Sequence, residues 1–166
     1  MPTFTRFEDL PVWQEAIRLA EGVYDMTESK EWRSSFSLRD QLERATLSVS
    51  NNIAEGFERG TTNELLAFLY IARGSAGEVR SMLCFLERRK GYAHFKSQIS
   101  NLKSLAESCS RQLRAWADHL QNCGIKGQRY LTEKTRKQYH TKKDADDFLR
   151  EMREMLPADH PLRRRS

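Results

Sequence analysis

Four stretches of the chain repeat apolar residues at alternating steps of three and four. The first runs Trp13, Ile17, Ala20, Tyr24. The second runs Leu38, Leu42, Ala45, Val49, with Asn52 on the same seam and Ile53 and Phe57 beside it. The third is the most regular: Leu65, Leu69, Ala72, Ala76, Val79, Leu83, Leu86, flanked by Phe68 and Phe85. The fourth runs Phe95, Ile99, Leu102, Ala106, Cys109, Leu113, Trp116, Leu120. Such spacing gives a helix one apolar face to bury against a neighbour. No strand-like alternation of useful length occurs.

The punctuation agrees with the periodicity. Asp9 can cap a first helix that opens on Leu10-Pro11 and stops between Met26 and Ser29. In the connection 30–36, Trp32 and Phe36 are expected to pack against the bundle end. Ser37 can cap the second helix, and Gly56 and Gly60 bracket its end. Thr61 followed by Glu64 forms a capping box for the third. Arg88-Arg89-Lys90 ahead of Gly91 closes that helix, because cations complement the negative end of the helix dipole. Asn122-Cys123-Gly124 stops the fourth. Short connections make consecutive helices antiparallel. The pattern therefore predicts an all-α fold, an up-and-down antiparallel four-helix bundle over 1–123 with a C-terminal extension over 124–166. Residues 144–155 can form a short helix with Phe148, Met152 and Met155 on one face. It is too sparse to fold alone, so it is expected to dock on the bundle or a neighbouring subunit, or to remain partly disordered.

Charge divides the chain in the same place. The net charge is +5, yet residues 1–123 hold 16 basic and 16 acidic residues, so the surplus sits in the extension. A positive tail attracts polyanions without specifying which one. No apolar run is long enough for a membrane span and the N-terminus has no secretory pattern, so the expected location is cytoplasmic. Cys84, Cys109 and Cys123 form no CxxC pair and read as small buried hydrophobes rather than a disulfide framework. The four histidines lie 20 or more residues apart, with no Glu-x-x-His pair on the third or fourth helix, so no metal and no cofactor are expected. No nucleophile–base pair is spelled out, and no residue is read as catalytic.

Two polar groups interrupt the apolar seams. Asn52 and Glu55 near the end of the second helix, with Arg73, Ser75 and Glu78 on the third, are expected to form a buried polar network or to meet a subunit interface. Gly74 and Gly77 each cost about 1 kcal/mol against alanine in a helix interior. With Ala72, Ser75 and Ala76 they make a small-residue patch that lets another helix come close, within the bundle or across subunits.

The segment from Leu38 to Gly60, centred on Asn52-Ile-Ala-Glu-Gly56, carries a specific resemblance together with Glu64–Glu78 and Phe7-Glu-Asp-Leu-Pro-Val-Trp-Gln14. Over roughly residues 7–120 the chain resembles the four-helix-bundle family of bacterial 23S rRNA intervening-sequence proteins. That family includes the accessory variability determinants of diversity-generating retroelements. The resemblance implies a homo-oligomer, a ring-like homopentamer, and for the retroelement members binding of reverse transcriptase and nucleic acid through a basic surface. It covers neither the extension nor Ser50, where the family often has proline.

On this reading the nucleic-acid contacts come from Arg39, Arg44 and Arg59 on the second helix and Arg73, Arg80, Arg88, Arg89 and Lys90 on the third. The extension adds Lys126, Arg129, Lys134, Arg136, Lys137, Lys142 and Lys143, with Tyr130 and Tyr139 interleaved as stacking surfaces. Two functions are open: a non-enzymatic oligomeric accessory protein that binds RNA, DNA or a reverse transcriptase complex, and a structural scaffold that binds only protein.

Overall fold

The computed structural model of the chain describes residues 4–33 and 35–122, and positions 141, 144, 145, 147, 148 and 150–152 farther along. A 3₁₀ turn at Phe7–Asp9 precedes four long helices: α1 (Pro11–Thr27), α2 (Phe36–Glu58), α3 (Thr62–Glu87) and α4 (Lys96–Asn122). A second 3₁₀ segment, Lys90–Phe95, joins α3 to α4. No strand occurs among the described residues. Each helix packs on its neighbours in sequence, and α4 closes back onto α1.

Cross-helix contacts fix direction and register. From α2 to α3, Gln41 donates to Glu78 at 3.1 Å, and the Ser48 and Ser75 hydroxyls meet at 2.9 Å. Farther along, Gly56 faces Leu65 and Phe68. Numbers climb on α2 as they fall on α3, so the pair is antiparallel. Lys103 with Glu87 and Gln121 with Tyr70 set the same sense for α3 and α4. Ser108 and Gln112 donate to Glu15, and Gln98 donates to the Gly22 carbonyl, which does so for α4 and α1. The all-α, up-and-down bundle expected from the periodicity is the observed fold.

The core has two halves. One gathers Leu19, Val23, Met26, Leu42, Val79, Leu83, Leu86, Tyr92, Phe95, Ile99 and Leu102. The other gathers Leu10, Val12, Val49, Ile53, Phe57, Leu65, Leu69, Cys109 and Leu113. The helix register puts small buried side chains at the waist, the level between them: Ala16 and Ala20 on α1, Ala45 and Thr46 on α2, Ala76 on α3, Ala106 on α4. The Thr46 hydroxyl is satisfied by donating to the Leu42 carbonyl at 2.7 Å.

Four local expectations need correction. The buried face of α1 is Val12, Ala16, Leu19, Val23 and Met26 with Ala20 of the expected seam, while Trp13, Ile17 and Tyr24 are half-buried at its edge. Both ladders have the same spacing, and the aromatic one is the bulkier. Asp9 does not cap α1: it lies in the 3₁₀ turn, and Leu10 precedes Pro11 without a side-chain cap. Ser35, not Ser37, caps α2 by accepting from the Leu38 N–H at 3.4 Å. Finally Phe36 is 81% exposed, so only Trp32 of the pair packs at the bundle end.

On α2 and α4 a strict 3.5-residue seam also drifts away from a 3.6-residue helix. Ile53 and Ala117 are buried, while Asn52 and Trp116 are only partly so. Ser50 is buried and donates to the Leu47 carbonyl at 3.1 Å, staying within its own helix.

The chain divides into two compact units, Met1–Arg129 and Tyr130–Ser166. The expected boundary after residue 123 lies outside the described residues. In the second unit the described positions from 141 to 152 are helical, and Phe148 and Met152 are exposed. Met155 lies outside the described residues.

Candidate nucleic-acid interface

α3 starts on a firm cap. Thr61 accepts from the Glu64 N–H at 3.2 Å while its hydroxyl donates to the Glu64 carboxylate at 2.7 Å. The helix ends by tightening. Arg88 N–H donates to the Phe85 carbonyl at 3.2 Å, Arg89 N–H to Leu86 at 2.9 Å, and Tyr92 N–H to Arg89 at 3.0 Å. The buried Tyr92 ring packs on Trp32, with centroids 5.1 Å apart, and its hydroxyl donates to the Arg33 carbonyl at 3.1 Å. Trp32 also meets Phe95 at 6.0 Å. An aromatic cluster thus pins the turn between α3 and α4 to the connection between α1 and α2.

Cations crowd this pinned corner. Arg88, Arg89, Lys90 and Lys96 are exposed, and Lys103 reaches Glu87 at 2.7 Å. The Lys103 hydrogen bond, then the charges of Lys103, Lys96 and Arg88, hold the Glu87 carboxyl below its ordinary range. Glu87 in turn raises the Lys103 ammonium. Three cations, Lys103, Lys96 and Arg88, therefore act on the Glu87 carboxylate, and Arg89 and Lys90 follow it in the sequence. Phe85 stands among them, 50% exposed, with the Arg89 guanidinium 5.8 Å from its ring centroid.

The other arginines named from the sequence fall into two groups. Arg39 pairs with Glu43 at 2.6 Å, Arg44 with Asp40 at 3.8 Å and Arg59 with Glu55 at 2.5 Å, each one turn away on its own helix. Arg59 also lies over the Phe68 ring at 5.2 Å. Arg73 and Arg80 form no ion pair among the described residues, and neither belongs to the corner. Lys126, Arg129, Tyr130, Lys134, Arg136, Lys137, Tyr139, Lys142 and Lys143 lie outside the described residues.

The expected polar network has a different membership. Asn52 donates to the Ser48 carbonyl at 2.7 Å and to the Ser48 hydroxyl at 3.0 Å, and Ser48 meets Ser75. Glu55 turns to Arg59 and Glu78 to Gln41, while Arg73 joins neither. The chain of hydroxyls joins α2 to α3 without a buried charge, because two serines one helix apart reach each other directly. Sequence spacing singled out the charged residues and passed over Ser48.

Gly74 and Gly77 also have a clear placement. A Cβ at either would meet nothing within 4 Å, so neither serves close packing inside the bundle. They lie on the solvent face of α3 with Tyr70, Ile71 and Phe85, all large and exposed. The close approaches occur elsewhere. A Cβ on Gly22 would sit 2.7 Å from Leu102, and one on Gly56 2.7 Å from Phe68. Among the described residues no group of His, Cys, Asp and Glu could hold a metal ion, and no helix is long and apolar enough to cross a membrane.

The sequence profile of the 23S rRNA-intervening sequence protein family matches residues 8–115. The chain belongs to that family. The matched span takes in α1, α2 and α3 and most of α4, so the cationic corner lies within the matched residues. A solved relative is a protein of unknown function from the S23 ribosomal protein family of Bacteroides thetaiotaomicron. It superposes with a TM-score of 0.57 at 17% identity, covering 64% of this chain and 97% of its own. That likeness is one of fold. Curated proteins give no match.

Proposed function

We propose that this chain is a non-enzymatic, oligomeric accessory protein that binds nucleic acid or a ribonucleoprotein. The carrying observation is the corner at the end of α3, where Arg88, Arg89 and Lys90 stand exposed in a row and Lys103, Lys96 and Arg88 act on the Glu87 carboxylate. Cations left without carboxylate partners bind phosphates and release their counterions. Membership of an rRNA-linked family supports RNA as the polyanion. A reverse transcriptase complex is the ribonucleoprotein partner to which the retroelement resemblance points. The basic extension adds long-range attraction, and a homopentamer would repeat each corner around a ring and multiply weak contacts.

The test is binding of labelled RNA and DNA across a salt series, with light scattering on the same samples. The expected result is affinity that falls steeply with salt. An Arg88→Ala/Arg89→Ala/Lys90→Ala variant should bind weakly and shed roughly 0.7–0.9 of the logarithmic salt slope per lost phosphate contact. Absence of binding at low salt would end this proposal.

One observation favours a scaffold reading in its place. The outer face of α3 is apolar or small at Tyr70, Ile71, Gly74 and Gly77, where a solvated helix would carry charge. Such a face suits self-association. Ile71→Lys should then lower the mass seen by light scattering while the melting temperature of the fold holds.

A further inference from the structure

We infer that the corner at the end of α3 takes single-stranded nucleic acid, with an unstacked base on Phe85 and its flanking phosphates on Arg88, Arg89 and Lys90. The inference rests on the nucleic-acid reading and narrows it to a class of ligand.

The argument starts from the ring. Phe85 points away from the core, with half of its side-chain surface in water. It is not a member of either half of the core. The turn that carries it is held by the Arg88 N–H bond to its own carbonyl and by the buried Tyr92 beyond, so the backbone positions that carry ring and cations are set before any ligand arrives. Arg89 lies over the ring, as cations do over aromatic faces.

An exposed aromatic ring among unpaired cations is the arrangement that single strands use. Cations follow the phosphates, and the ring stacks on whatever base is presented. A duplex cannot use the ring, because its bases are already stacked and shielded. Duplex binding would explain the cations and leave Phe85 idle. The apolar stretch at Ile71 lies 14 residues away, roughly 21 Å along the helix. The two patches are therefore separate.

The experiment uses the full chain and fluorescence anisotropy. The probes are uridine RNA and thymidine DNA strands of about ten nucleotides, an abasic strand of equal length, and a matched duplex. Phe85→Ala should weaken binding of the base-bearing strands roughly 5- to 150-fold, the weight of one stacked base. It should leave the abasic strand and the duplex unchanged, and Phe85→Trp should restore or tighten single-strand binding. Melting curves check that both variants fold. The tighter of the ribose and deoxyribose arms identifies the natural strand.

If Phe85→Ala binds every probe like the parent while the triple cation variant fails, stacking is wrong and the general nucleic-acid reading survives. If Phe85→Ala weakens duplex and abasic strand as much as the base-bearing strands, the inference is equally overturned. If the parent binds no probe at low salt, both readings fall together.

Discussion

At Gly56 the chain has no room for one more carbon. A Cβ there would press on the Phe68 Cβ at 2.7 Å, an atom fixed to the backbone that cannot swing aside, and on the Leu65 Cδ1 at 3.2 Å. Gly56→Ala should cost about 1–3 kcal/mol by overpacking the α2–α3 contact. Gly74 is the opposite case, an exposed helix-interior glycine with open space around it. Gly74→Ala should add about 1 kcal/mol to the stability of the fold. Thermal melts of the two variants at low protein concentration should therefore move in opposite directions. Cys109 offers a second residue-scale expectation. Burial pushes its thiol up to about 12, so it should resist alkylation in the folded protein and react only after unfolding, which mass spectrometry reads directly. The unfolded chain sheds that proton near 9.0 while the folded one keeps it, so above that pH the unfolded state gains. Stability should fall as pH rises from about 9 towards 12, and a Cys109→Ala variant should lose that part of the decline.

Among the elements, α2 shows how much a cap decides. Ser35 accepts from the Leu38 N–H, whereas Ser37 lies exposed inside the first turn. Ser35→Ala should cost roughly 0.5–2 kcal/mol and Ser37→Ala close to nothing, measured by denaturant unfolding. The contrast bears on what the sequence made legible. α3 was fully readable, because its ladder from Leu65 to Leu86 has no rival of equal spacing and Thr61–Glu64 marks its start. α1 had two ladders of equal spacing, and which one is buried is settled only by contact with α2 and α4. The cations at the end of α3 were visible as a run in the sequence. Their grouping with Lys96 and Lys103 was not, because it depends on the antiparallel return of α4. The Phe85–Arg89 pair did leave a signal, the one-turn spacing of an aromatic and an arginine, but helix-end capping accounted for the same cations equally well. The Ser48–Ser75 hydroxyl contact left none, since serines are common on helices and only register brings these two together.

At the scale of the molecule, charge and apolar surface are sorted along α3. Its middle presents Tyr70, Ile71, Gly74 and Gly77 to solvent, and its end presents Phe85 with the cations. One helix can therefore serve assembly and ligand contact at different heights without either patch obstructing the other. The waist of small side chains has a consequence in time rather than in space. Ala16, Ala20, Ala45, Thr46, Ala76 and Ala106 join the core halves with little apolar area, so a helix end can open on one side without dragging the other with it. Native-state amide exchange should then sort the protected amides into two groups with distinct opening free energies, one near Val49–Phe57 and Leu65–Ala72, the other near Val79–Leu86 and Ile99–Ala106. A single shared opening energy for all of them would show that the bundle breathes only as a whole.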